Sequence, residues 1–239
     1  MEDKRFEEEI GKKYDLFKLA CPHIDDIEEK IGSVIKEFSE DKTLDKINVL
    51  EIGCGTGETT LRILNASPKI NIIAMDNEAV MIEQAKEKLK EFSDERLSFV
   101  EEDCLKFLKK QKDNSFEVIA SGFTLHNFKK DYRKKVLEET YRVLEPRGIF
   151  INGDKYAFDN ESEHRKSFDW QIKEVKDVFT KNKEPELEKE WVRHYIEDDK
   201  PEVIMKESES KDIMRQIGFK RIKTILRKHM DAAIIAEKE

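Results

Sequence analysis

Val49-Leu50-Glu51-Ile52-Gly53-Cys54-Gly55-Thr56-Gly57-Glu58-Thr59-Thr60 passes from an apolar run through alternating glycines into a helical pattern. That order reads as strand, tight loop and helix. Three of the chain's nine glycines fall within these five loop residues, in a sequence otherwise sparing of glycine. Glycine accepts positive φ and lets a ligand approach without a Cβ in the way, so the loop is expected directly beneath something bound. In an open α/β sheet that place is the crevice at the carboxyl end of the first strand.

Spacing narrows the ligand. A dinucleotide fingerprint requires G-x-G-x-x-G, but here the third glycine comes one residue early, at Gly57, and Glu58 stands in its place. The Gly-Lys-Ser/Thr ending of a phosphate loop is absent as well. Glu51 sets a carboxylate at the strand tip, which repels a pyrophosphate and suits the ammonium of an amino acid. Glu51-x-Gly53-x-Gly55-x-Gly57 resembles motif I of the class I S-adenosylmethionine (SAM) methyltransferases. The resemblance implies an α/β, Rossmann-like fold with a mostly parallel seven-stranded sheet, an antiparallel C-terminal strand and an α-helical lid, with SAM as the cofactor.

The following strands carry further points of likeness. Ile70-Asn71-Ile72-Ile73-Ala74-Met75-Asp76 reads as a second buried strand ending in an acid. An acid there accepts hydrogen bonds from ribose hydroxyls, although Asp76 or Asn77 also suits a helix N-cap for 78–92. The run from Asp76 and Asn77 to Met81 resembles the family's post-strand pattern, which implies Met81 against the adenine. Leu97-Ser98-Phe99-Val100-Glu101-Glu102-Asp103-Cys104 reads as a third strand with an acid just beyond it, and the resemblance implies that Asp103 meets the adenine amino group with Cys104 beside the ring. Asp103 equally suits the N-cap of 104–111. A fourth strand from Phe116 brings Ser121 to the cofactor and leads into Phe123-Thr124-Leu125-His126, similar to the small-molecule branch, where the residue at His126 borders the methyl group. His126 is the candidate general base, the alternative being a histidine merely hydrogen-bonded in its loop. No Asn-Pro-Pro-Tyr motif occurs, which argues against methylation of a flipped nucleobase.

Residues 3–19 and 24–39 read as two helices, and helices there often cap the crevice in this family. Tyr14 is accordingly a candidate over the reacting centre, or else a residue packing its helix on the sheet. Pro146-Arg147-Gly148 introduces a fifth strand over 149–154, which places Asp154 and Tyr156 at its tip, with Tyr156 a candidate substrate contact. From 159 to 206 glycine disappears and charge rises around an apolar stripe, read as a lid. Gly218 ends the last helix, and 219–226 and 230–236 read as an antiparallel strand pair joined by 227–229. The division expected is cap helices over 1–40, a SAM-binding core over 41–158, the lid over 159–206 and the closing helix and strands over 207–239.

At 239 residues one core of ordinary size is expected. A net charge of −8 disfavours a long nucleic-acid groove and leaves a small molecule as the expected substrate. Cys21, Cys54 and Cys104 have no metal-ligand spacing and suit a reducing compartment, and with no signal-peptide core or membrane span a cytoplasmic monomer or homodimer without a metal is expected. A second resemblance is to the carboxy-SAM synthases of tRNA wobble modification, carried by Ala74-Met75-Asp76-Asn77, Phe123-Thr124-Leu125 and the lid before Gly218-Phe219. It implies that Arg193 pairs with an extra carboxylate. The Gly-Cys-Gly-Thr-Gly loop and His126 depart from that branch. A noncatalytic partner subunit of the same fold is the remaining alternative.

Overall fold

The computed structural model describes residues 18–41, 44–92 and 95–239. Seven strands form one sheet: β1 (Ile47–Ile52), β2 (Ile70–Asp76), β3 (Leu97–Glu101), β4 (Phe116–Gly122), β5 (Leu144–Lys155), β6 (Lys220–Lys228) and β7 (Asp231–Glu237). Their spatial order is β3-β2-β1-β4-β5-β7-β6. β1 to β5 pair in parallel, and β7 lies antiparallel to both β5 and β6. The antiparallel C-terminal strand expected from the sequence is present.

Near-continuous apolar runs such as Ile47–Ile52 are what a strand covered on both faces requires. One face of the sheet carries α1 (Ile24–Asp41), α2 (Glu58–Ala66) and α3 (Ala79–Lys88), where Ile27, Ile31 and Ile35 pack with Val49, Ile63 and Ile72. The other carries α4 (Cys104–Lys110), α5 (Lys130–Val143) and α8 (Glu207–Ile217), where Phe107, Val136 and Met214 pack with Leu50, Ile119 and Phe150. Because the chain steps from β1 to β2 on one side and to β4 on the other, the sheet opens at the carboxyl ends of β1 and β4. That is where ligands bind in open α/β sheets.

Two helices, α6 (Glu161–Lys181) and α7 (Pro185–Asp198), stand between β5 and α8 in sequence. Ala157 bridges Lys206, so the chain leaves and rejoins the sheet side by side. Phe168, Val175, Phe179, Leu187, Trp191 and Tyr195 pack with Ala20, Cys21, Ile24 and Met230 in a third apolar cluster above the strand ends.

Several boundaries differ from expectation: α3 ends at Lys88 and β3 at Glu101. β5 begins at Leu144, which pairs with Phe116 across a register shift, so the Pro146-Arg147-Gly148 irregularity lies within the strand. The last two strands are joined by His229 and Met230 alone, with His229 at positive φ (50°), so β6 runs to Lys228.

Candidate active site

The glycine loop turns at the carboxyl end of β1, and its first two glycines act differently. At Gly53 (φ 73°) an added Cβ would lie 2.1 Å from Thr124 Oγ1, so this position is filled by the β4 loop. At Gly55 (φ 50°) an added Cβ would meet nothing within 4 Å, because it would stand in a cavity of about 210 Å³ that Gly53 and Gly55 help to line. Gly57 lies outside that lining; a Cβ there would press on Leu89 and Ala85 of the neighbouring helix, so it serves helix packing.

Asp76 closes the loop from the next strand. Its Oδ2 accepts from Gly55 N at 2.9 Å and its Oδ1 from Glu78 N at 3.0 Å. The N-cap of α3 is Glu78, without a side-chain cap, so Asp76 precedes the helix rather than capping it, and it lines the cavity with Asn77 and Met81. Burial pushes its carboxyl above the ordinary range, against the backbone donors of Gly55, Glu78 and Asn77. Asp103 and Cys104 line the far wall. Asp103 also caps α4, its Oδ1 accepting from Lys106 N at 2.8 Å, while Tyr132 donates to its Oδ2 at 2.7 Å.

The lining is electronegative. Glu28, Glu58, Asp76, Glu78, Glu102 and Asp103 face it, against Lys129 as the one cation among the described lining residues. Glu58 and Glu102 are paired outward with Lys88 and Lys110. Glu28 is 4% exposed and its Oε2 has no hydrogen-bond partner. Burial pushes its carboxyl up to about 7, although Lys18 opposes this. Sequence reading missed Glu28; an acid amid Ile24, Ile27 and Ile31 on the apolar stripe of α1 was the available signal.

Glu51 is the first correction. It was expected to pair with the ligand's ammonium, but it is fully buried beneath the loop, outside the lining, with Thr60 donating to its Oε2 at 2.6 Å and its Oε1 without a hydrogen-bond partner among the described residues. Burial raises its carboxyl to about 8, and the charges of Glu28 and Asp76 add to the rise. Ser121 is the second. Its hydroxyl donates to Ile52 O at 3.0 Å inside the sheet, and Gly122, one residue on, reaches the cavity instead.

His126 does not line the main cleft. It faces a smaller cavity of about 40 Å³, and Phe123 and Asn127 line both. Its Nδ1 lies 2.6 Å from Asp154 Oδ1, and its Nε2 lies 3.8 Å from Asp198 Oδ2. Asp154 is fully buried and also accepts from Lys155 N at 2.8 Å and Asn152 Nδ2 at 3.2 Å. A carboxylate held in this way accepts the Nδ1 proton, which assigns the free lone pair of a neutral ring to Nε2.

Two proposed substrate contacts are not brought to either cavity. Tyr156 is fully buried and accepts from Asn152 Nδ2 at 2.7 Å. Arg193 is exposed on α7, because Trp191 and Tyr195 two residues to either side occupy the buried face. Tyr14 lies outside the described residues. No helix among the described residues is long and apolar enough to cross a membrane, and those residues hold no cluster suited to a metal ion.

Comparison with known proteins places this geometry. Residues 49–148 match the family model described as a methyltransferase domain. A demethylmenaquinone methyltransferase of Leptospira interrogans is 36% identical over 109 residues, 45% of this chain and 43% of the relative. A carboxy-S-adenosyl-L-methionine synthase of Photobacterium profundum is 27% identical over 166 residues, 68% of this chain and 65% of the relative. The chain thus spans less than two thirds of the length of both. Among solved structures, a putative S-adenosyl-L-methionine-dependent methyltransferase of Methanococcus maripaludis superposes with a TM-score of 0.63 at 18% identity, covering 100% of this chain and 96% of that one.

Proposed function

We propose, from the premise that this chain belongs to the class I SAM-dependent methyltransferases, that it transfers the methyl group of SAM in line to a small molecule. The observation that carries the reading is the cleft itself, with an open Gly55 beneath it and Asp76 at its edge. The donor set fits the cofactor. SAM bears an ammonium and a sulfonium, and the cleft offers acids, including the unpartnered Oε2 of Glu28. Glu28 would take the ammonium, Asp76 the ribose, and Met81, Asp103 and Cys104 would border the adenine.

The bound cofactor supplies an electrophilic methyl group. The chain's own residues then have to position and to exclude water, a contribution of roughly 7–11 kcal/mol when reacting atoms are well aligned. Phe123 and Asn127 separate cleft from inner cavity, and the acceptor is held between them. His126 Nε2 receives a proton where the acceptor needs to lose one, with Asp154 orienting the ring. Such a base adds roughly two to four powers of ten.

Calorimetric titration with SAM and S-adenosylhomocysteine tests this. Micromolar binding of both, lost in Asp76→Ala, is the expected result; no binding to a folded protein that carries no retained ligand contradicts it. The runner-up reading, a carboxy-SAM synthase, is favoured by the similarity over 68% of the chain. The exposed Arg193 weighs against it, since it lies away from the described linings. Mass spectrometry of ligand retained on purification separates the two, because a carboxylated donor is heavier by one carboxylate.

A further inference from the structure

The inner cavity, about 40 Å³, has room for the head of a small molecule, a few water-sized volumes. Its described walls come from separate parts of the chain: Cys21 and Ile24 ahead of β1, His126 and Lys155 at the strand ends, and Trp191 and Tyr195 from α7. Two of the titratable groups there hold a carboxylate partner, and His194 packs on Trp191 with its Nε2 making no hydrogen bond to a described residue. Lys155 Nζ bonds the carboxylate of Asp198 and lies 4.1 Å from the centre of the Tyr195 ring. His126 is bound to Asp154. Asp231, the first residue of β7, lines the cavity at 8% exposure; its backbone pairs with Lys155 and Lys228, but its carboxylate makes no hydrogen bond or ion pair with a described residue. Burial, the largest influence, pushes its carboxyl up to about 7; Asp154 adds to this while Lys155 and Arg227 oppose it.

A buried carboxylate without a donor is costly unless something supplies one. The cavity is shaped to receive it: an acid on one wall, and on another the ring of Trp191, which favours a cation, while the Tyr195 ring already holds Lys155. We propose that the inner cavity is the pocket for an amine group of the acceptor, with Asp231 receiving its N–H. The proposal rests on the methyltransferase reading for the word acceptor, and on the cavity alone for the amine. A carboxylate in the same place would meet Asp231 and Asp198, with Lys155 already engaged. The acceptor class is thus a small primary or secondary amine, held by its ammonium end beside the cleft.

The test uses propylamine, with propionate and 1-propanol as charge-reversed and neutral probes of similar size. Saturation-transfer NMR is recorded at pH 8 on the full chain, both free and loaded with S-adenosylhomocysteine. Propylamine is expected to receive saturation and propionate not, and Asp231→Asn is expected to weaken propylamine at least tenfold while changing the affinity for S-adenosylhomocysteine less than twofold. Propionate binding as well as propylamine, no propylamine signal, or propylamine binding unaffected in folded Asp231→Asn would overturn the proposal. If the variant does not fold, the contrast among the three probes on the natural chain decides alone. Failure of S-adenosylhomocysteine to bind would instead remove the methyltransferase reading, and the free chain still reports on the amine.

Discussion

Replacing Gly55 with alanine separates binding from stability. At φ 50° the new Cβ meets no atom of the protein within 4 Å. The cost to folding is therefore the left-handed backbone penalty alone, roughly 1–2 kcal/mol. The same methyl group intrudes on the cavity exactly where the loop should approach the cofactor, and a loss of at least tenfold in affinity, about 1.4 kcal/mol or more, is expected. Gly53→Ala behaves differently. Its Cβ would stand 2.1 Å from Thr124 Oγ1 and 2.4 Å from Thr124 Cγ2. Thr124 must turn away, losing its bonds to Gly53 O and Gly122 O. Backbone strain and the lost bonds together amount to roughly 2–4 kcal/mol. Urea denaturation and calorimetric titration with S-adenosylhomocysteine, run on both variants, read the two effects. Gly55→Ala binding with the natural affinity would refute the reasoning, as would Gly53→Ala proving no less stable than Gly55→Ala.

Four further outcomes are expected. SAM affinity should rise with pH through about 7, because the bound cation favours the ionised form of Glu28; titrations between pH 6 and 8 should show the rise, and Glu28→Gln should flatten it and cost roughly ten- to a hundredfold at pH 8. Glu51, raised from 4.5 to about 8, holds a proton in the folded chain that the unfolded chain releases. Stability should therefore be full below about pH 4.5 and fall as pH rises to 8, by at most about 5 kcal/mol from this group; Glu51→Gln should reduce the slope in thermal melts recorded across that range. Tyr156→Phe should cost roughly 1 kcal/mol of stability, since Asn152 loses a buried partner, and leave ligand affinity unchanged. Arg193→Ala, on the exposed face of α7, should leave melting temperature and ligand affinity within error.

The fold was legible because its signals are local. The apolar run before Gly53 and the acid ending the run 70–76 each mark a strand tip, and the closing pair around His229 gives the antiparallel edge. The site was legible where a residue sits on the backbone of those tips, as Gly55, Asp76 and Asp103 do. It was not legible where side-chain direction decides. Successive strand residues point to opposite faces, and nothing in Phe116–Gly122 alone says that Ser121 turns inward to Ile52 O. Tyr156 is buried just past the end of β5, where the Asn152 amide four residues earlier donates to its hydroxyl. Arg193 and Glu28 were recoverable, because helical spacing from Trp191 and from Ile24 assigns each its face. The inner cavity needed three dimensions, since Cys21, His126, Trp191 and Asp231 meet only in the fold.

The most direct test of the cofactor cleft is a crystal structure of the protein with S-adenosylhomocysteine. The account predicts ribose hydroxyls on Asp76, adenine between Met81 and Cys104, and the amino group within hydrogen-bond distance of Glu28. Ligand density away from the glycine loop, or bound there with its amino group turned from Glu28, would contradict it.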